Sequence, residues 1–198
     1  STFNYQLSAQ SLMVQFNEDV GPSLTKAAFT LTDLASNTAI DPAAIAMNYD
    51  AAARTATFTF PGLPNGRLLD GNYRATLAAG LIKDQATNLL DGNRDGTAGD
   101  DYTFDFFQFA GDANHDGAVD FNDLVALAQN YNTSGKVFDQ GDFNYDGTVD
   151  FNDLVILAQR YNTSLPPPPP PIPAAHVSKP APTTVVSRQL PRKPQQRG

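Results

Sequence analysis

Apolar and polar residues alternate with a period of two through most of residues 1–110. Segments 11–16, 54–60, 73–79 and 102–109 carry the alternation, and turn clusters at Gly21-Pro22, Asn65-Gly66, Asp70-Gly71 and Asp91-Gly92 punctuate it. In 54–60, Thr55, Thr57 and Thr59 fall on one face and Ala56, Phe58 and Phe60 on the other, as a strand with one wet side requires. About seven such strands in this length predict an all-β antiparallel sandwich over 1–110. The last of them runs into Gly111 with almost no linker, so the sandwich and whatever follows should move nearly as one body.

Beyond residue 110 the period lengthens. Leu124, Leu127, Ala128 and Tyr131 fall at i, i+3, i+4 and i+7, as do Leu154, Leu157, Ala158 and Tyr161. This spacing predicts an amphipathic helix in each segment. The two segments are copies: residues 111–134 and 141–164 share 19 of 24 positions at a constant offset of 30, which marks a duplication. A unit of this size has little core of its own, so the helices are expected to pack on each other.

Each helix follows a loop of oxygen-bearing residues. Asp112, Asn114 and Asp116 stand at loop positions 1, 3 and 5, with Gly117 at 6 and Asp123 at 12; Asp142, Asn144, Asp146, Gly147 and Asp153 repeat this. A calcium ion takes six to eight hard oxygen ligands, and this spacing wraps a chain around one. Position 7, Ala118 or Thr148, would give its backbone carbonyl, and position 9, Asp120 or Asp150, would act directly or through water. Val119 and Val149 at position 8 face away from the ion and can join the loops by an apolar contact. Asp at position 12 is one methylene shorter than the usual Glu, so the backbone must bring it closer. The alternative is a pair of metal-free Asx turns, opposed by repulsion among four carboxylates in a dozen residues. A third stretch, residues 91–101, places Asp91, Asn93 and Asp95 at 1, 3 and 5, Gly96 at 6 and Thr97 at 7. Position 12 there is Tyr102, so Asp100 or Asp101 would have to close the cage; a plain polar hairpin loop is the alternative.

Composition narrows the function. The net charge is −8, and of 21 acids Glu18 is the only Glu, which suits turns and metal loops better than helices. Such an acidic body argues against a nucleic-acid partner. There is no Cys, hence no disulfide or thiolate site, and no apolar run approaches the length of a membrane span. Residues 165–198 hold 11 of the 15 prolines, five bases and no acid; they are expected to form a disordered tail, serving as a proline-motif or basic ligand or simply as a solvated terminus. Neither candidate for catalysis is persuasive. His115 sits at loop position 4, expected to face outward, and Glu18 and Asp19 are adjacent on a strand and so point to opposite faces. The opening at Ser1, directly inside an alternating pattern, suggests a piece of a larger protein.

Loop plus exit helix, duplicated, with Asp at position 12 and no room for an entering helix, resembles a type I dockerin, the module that binds cohesin domains in cellulosomes. Residues 1–110 are similar to bacterial Ig-like domains, and the order of the two resembles the C-termini of large secreted proteins of planctomycete-type bacteria. The resemblance implies a multidomain chain: an Ig-like sandwich (1–110), a small all-α dockerin module (111–164) and the tail (165–198). It implies a calcium-dependent, non-catalytic module, extracellular or at the cell surface, monomeric alone, in the service of polysaccharide breakdown. Its partner would be a cohesin-like domain met by loop positions 10 and 11, here Phe121-Asn122 and Phe151-Asn152 where cellulosomal dockerins often have Ser-Thr. Two non-enzyme readings follow: a docking plug, which would leave an aromatic helix face exposed, or a calcium-stabilised cap, which would bury that face against 1–110.

Overall fold

A computed structural model describes residues 1–7 and 10–168. Eight strands precede residue 110: β1 (Thr2–Asn4), β2 (Ser11–Gln15), β3 (Phe29–Asp33), β4 (Thr38–Ala39), β5 (Ala46–Asp50), β6 (Thr55–Thr59), β7 (Gly71–Leu77) and β8 (Tyr102–Gln108). They form two antiparallel four-stranded sheets, ordered β1-β2-β6-β5 and β4-β3-β7-β8. The sheets close over one apolar core in which Leu12, Ala56 and Phe58 of the first meet Phe29, Leu31 and Leu77 of the second. Phe29 and Phe58 stack across the layers at 3.8 Å. Within β6 the alternation of burial follows that of the sequence, with Ala56 and Phe58 buried and the threonines half-buried.

Residues 111–164 hold two helices, α1 (Phe121–Asn130) and α2 (Phe151–Ala158), but the expectation of an all-α module is overturned. Four two-residue strands share the segment: β9 (Ala118–Val119), β10 (Thr133–Ser134), β11 (Thr148–Val149) and β12 (Thr163–Ser164). They make two further sheets, so the protein is mostly β, with four sheets and two helices among the described residues. The reason is backbone accounting: helices of this length leave the loop and exit segments with unpaired N–H and C=O groups, which must find partners. The partners are exchanged between copies. β9 in the first loop pairs with β12 after the second helix, and β11 in the second loop pairs with β10 after the first. Val119 and Val149 are both fully buried in a second core, with Leu127, Leu157, Phe138 and Phe143.

The helix stripe also needs correction. Leu127 and Leu157 are buried and Leu124 and Leu154 partly so, yet Ala128, Tyr131, Ala158 and Tyr161 are exposed. Ala126 and Ile156 pack on the core instead. What precedes the second loop is a single 3-10 turn, Phe138–Gln140. Of the expected disordered tail, residues 169–198 lie outside the described residues.

β8 belongs to both cores. Phe104 and Phe106 pack into the sandwich, whereas Phe107, and Phe109 just beyond its end, pack with the repeats. Gly111 and Gly141, each immediately ahead of a loop, have φ of 93° and 102°. A Cβ on Gly141 would stand 2.7 Å from Leu127 Cα, and one on Gly111 would stand 3.3 Å from Leu157 Cα, so each glycine lies against the other copy's helix. Gly141→Ala should therefore destabilise the repeats by about 2–3 kcal/mol, the sum of left-handed strain and the clash. Gly135→Ala, with φ of 71° but open space around it, should cost only about 1 kcal/mol. Urea denaturation of the two variants checks the difference.

Candidate metal centres

In the first loop the backbone wraps around Asp112. Its carboxylate accepts from the N–H of Gly117 (2.8 Å) and of Asp116 (3.1 Å). Asn114 Oδ1 also accepts from Asp116 N–H (3.0 Å), Asp116 accepts from Ala118 N–H (3.0 Å), and Asn114 Nδ2 donates to Asp116 (2.9 Å). Asp123 closes the ring from the far end, accepting from Ala113 N–H (2.8 Å) with one oxygen and from Asp120 N–H (2.7 Å) with the other. Asp120 is the N-cap of α1 and accepts from Asn122 N–H, so Asp120 and Asp123 together make a capping box that starts the helix where the loop ends. The second loop repeats the scheme. Asp142 accepts from Gly147 and Asp146, Asn144 Oδ1 from Asp146, Asp146 from Thr148, and Asp153 from Phe143 and Asp150. Asp150 caps α2.

Asp112, Asp123, Asp142 and Asp153 are all buried, yet none has a basic partner. The ion pairs among the described residues are Arg74–Asp105 and Arg160–Asp70. Burial pushes the Asp112 carboxyl up to about 6, reinforced by the charges of Asp123 and Asp116 and only partly offset by the Gly117 and Asp116 amides. Asp142 moves the same way, again chiefly by burial. Buried carboxylates that repel one another in a loop of hard oxygens fit a divalent cation of the calcium type.

The stretch 91–101 keeps three of the repeats' four backbone-to-side-chain bonds over positions 1 to 7, but Asp91 accepts from Arg94 N–H at position 4 where Asp112 and Asp142 accept from position 5. Asp91 accepts from Gly96 N–H (2.9 Å), Asn93 Oδ1 from Asp95 N–H (2.9 Å), and Asp95 from Thr97 N–H (2.7 Å). Position 4 is left-handed in all three loops, at Arg94 (62°), His115 (57°) and Tyr145 (64°), and the position-6 glycines lie between 83° and 87°. Among the described residues, Asp91, Asp95 and Asp100 are the one trio of carboxylates whose oxygens lie within 4.8 Å of one another. Asp101 does not join them: it accepts from Ala79 N–H (2.8 Å). The loop is pinched at its base by Gly92 N–H to the Asp100 carbonyl (2.9 Å).

His115 does not face outward. Its ring lies between Tyr5 and Phe107, with centroids 3.9 Å from each and both stacks nearly parallel. Burial there lowers its pKa to about 4. Tyr145, the equivalent residue of the second copy, donates to the Tyr5 carbonyl (2.6 Å) and accepts from Gln10 Nε2 (3.0 Å). Arg67 lies over its ring at 4.9 Å. Gln10 is itself fully buried, with its amide satisfied by Gln108 and by Leu68 N–H. Tyr5, Gln10 and Arg67 carry no periodic or motif signal, and sequence reasoning missed them; Phe107 and the duplicated Gly111 and Gly141 lie in segments it marked, but with no sign of what they touch.

The residues expected to meet a partner stay in solvent. Phe121 and Phe151 are 66% and 65% exposed, and Tyr131, Tyr161 and Val155 also project outward. Asn122 and Asn152 sit in the first helical turns, also exposed, their N–H groups engaged by the N-cap carboxylates. A cavity of about 720 Å³ lies elsewhere, beside Glu18, Asp84 and Asp91. Glu18 and Asp19 are not on a strand but follow the end of β2, and of the two Glu18 lines the cavity. Asp19 is held by Gly21 N–H, Tyr49 and Gln85, and Asp84 is kept a carboxylate chiefly by Asn88.

Without metal, two groups respond to pH in opposite senses. Asp112 binds its proton more tightly folded (about 6) than at its ordinary value of 3.8, so its contribution to stability is lost as pH rises through that window. His115 binds its proton less tightly folded (about 4) than at 6.5, so stability is lost as pH falls through an overlapping window. In chelator Asp112, with Asp142 shifted the same way, and His115 therefore pull wild-type stability in opposite directions between pH 6 and pH 4. His115→Asn should gain stability relative to the wild type as pH falls over the same range, and excess calcium should offset the carboxylates' share of the slope. Urea midpoints at the two pH values decide it.

No family model matches the chain, and no curated protein or solved structure matches it either, so a functional reading rests on the loops and their setting.

Proposed function

We propose that residues 111–164 are a calcium-dependent, non-catalytic docking module, carried on the β-sandwich as a spacer and working outside the cell or at its surface. The observation that carries this reading is the exposure of Phe121 and Phe151 at matching positions of two near-identical loop–helix copies. Aromatic side chains two-thirds exposed, backed by exposed Tyr131, Tyr161 and Val155, suit a receptor that covers them. The dockerin resemblance makes that receptor a cohesin-like domain. The metal ligands would be Asp112, Asn114, Asp116, the Ala118 carbonyl, Asp120 and Asp123, with Asp142, Asn144, Asp146, the Thr148 carbonyl, Asp150 and Asp153 in the second copy. The 91–101 loop would take a third ion through Asp91, Asn93, Asp95, Thr97 and Asp100.

A second reading, a calcium-stabilised cap on the protein's own sandwich, is favoured by the burial of the loop face against Tyr5, Gln10 and Phe107. The face that meets the sandwich is the loop face and not the aromatic helix face that a cap was expected to bury, so the two readings use different faces of the module. A cap needs only the loop face, whereas docking needs the helix face left over.

At free calcium 100 times the dissociation constant, each site should add about 2.7 kcal/mol of stability. Circular dichroism should show helix lost in chelator and restored by calcium; equal helix content in both would end the calcium reading. Calorimetry should count three ions in the wild type and two after Asp91→Ala with Asp95→Ala. Capture of a partner from the native organism's extracellular fraction should survive Phe121→Ser with Asn122→Thr, because the second copy offers the same pair. It should vanish when Phe151 and Asn152 are changed as well. Loss from the first pair alone would rule out recognition through either copy, and capture unaffected by all four changes would favour the cap.

A further inference from the structure

The two repeat loops have identical ligand sets, but the sandwich holds them by different means. Loop 1 is gripped through its position-4 ring, His115 stacked between Tyr5 and Phe107, and through the Asp112 N–H, which donates to the Phe109 carbonyl (3.3 Å). Loop 2 is gripped by Tyr145, bonded to Gln10 and the Tyr5 carbonyl, and also by Arg67. The Arg67 guanidinium donates to the carbonyls of Phe143 (3.4 Å) and Asn144 (3.2 Å), inside the loop, while lying over the Tyr145 ring. Each gripped residue sits between two ligand positions in a left-handed conformation that turns the chain around the site. Holding the ring in place holds that conformation, which a non-glycine residue otherwise adopts only at a cost.

We infer that His115 and Tyr145 are positioning residues through which the sandwich pre-forms the two metal loops, each by its own anchor. Metal binding and closure of the junction between sandwich and repeats are then one coupled equilibrium. The inference rests on the calcium reading of the loops. Coupling is reciprocal: an anchor that favours the wrapped loop raises its affinity, and an ion that favours the wrapped loop tightens the anchor. When a loop empties, repulsion among its buried carboxylates opposes the wrapped form, and the ring it presents to the sandwich loses its fixed direction. Because the anchors differ, the two sites separate energetically although their ligands do not. Phe107 stacks on the ring of loop 1 and Arg67 bonds to the backbone of loop 2, whereas Tyr5 serves both anchors.

The test is a calcium titration of the full chain followed by amide NMR. The Gly117 and Gly147 N–H groups, bonded to Asp112 and Asp142, report each loop separately. Phe107→Ala should weaken loop 1 by roughly ten-fold and loop 2 far less, and Arg67→Gln should do the reverse. His115→Asn, which tolerates the left-handed conformation while removing the stack, should reproduce the Phe107→Ala effect should that variant prove poorly folded. In reverse, calcium should slow exchange of the Phe138 N–H, which donates across the junction to the Gln6 carbonyl. If the wild type responds to calcium at both glycines but the anchor variants leave both affinities within two-fold, the coupling is refuted and the calcium reading stands. If neither glycine of the wild type responds to calcium, both fall together.

Discussion

Within each repeat loop the chain must hold several carboxylates close together, some of them out of water, with no lysine or arginine to balance them. The rest of the repeat unit can be understood as the answer to that constraint. Backbone N–H groups supply the first part: those of Gly117, Asp116, Ala113 and Asp120 all point at carboxylate oxygens of the first loop, and their partial positive charges offset some of the repulsion. They do not offset all of it, because Asp112 is still pushed up to about 6. A cation would supply the remainder. The loop that orders those amides also ends in the capping box of α1, so the charge problem and the start of the helix are solved by the same residues.

A loop shaped in this way leaves its own backbone short of partners, and the duplication supplies them. Each loop's short strand pairs with the segment that follows the other copy's helix, and each pre-loop glycine lies against the other copy's leucine. Neither copy is complete alone. Val119 and Val149, expected to join the loops through an apolar contact, share one core, although the strands that carry them do not pair with each other. Two short helices would bury too little surface to stand by themselves. The exchange of strands, and the borrowing of Phe107 from β8 and of Phe109 just beyond its end, is what makes the core large enough.

How much of this could be read from the chain depended on whether the information was local. The strand alternation around Phe58, the duplication and the ligand spacing are all short-range patterns, and they were legible. The two-residue strands were not, because Thr133-Ser134 and Thr163-Ser164 are too short to show a period; that is why an all-α module was expected. Nor was the true packing face of the helices. The spacing of Leu124, Leu127, Ala128 and Tyr131 says which residues share a face, not how much of it another element covers, and here the cover stops short of Ala128 and Tyr131. His115 and Tyr145 failed for the same reason at longer range. Position 4 points away from the metal in any such loop, but only the fold reveals that β8 and the segment around Tyr5 stand in the way.

That obstruction divides the repeat unit into two faces with different work. The loop face is spent on the sandwich through Tyr5, Gln10, Arg67 and Phe107, which fixes how the unit is carried. The helix face, with Phe121 and Phe151 almost equally exposed, is left over in duplicate. A receptor approaching either copy would meet nearly the same side chains, yet the loop behind each is held differently, by ring stacking in one and by a guanidinium and a phenol in the other. Equivalence of surface therefore does not carry equivalence of stiffness. Stacking is short-ranged and tolerant of rotation, whereas the Arg67 bonds to the Phe143 and Asn144 carbonyls fix the backbone itself. The second copy thus has its loop backbone tied directly to the sandwich by side-chain bonds, where the first is held mainly through the ring at position 4.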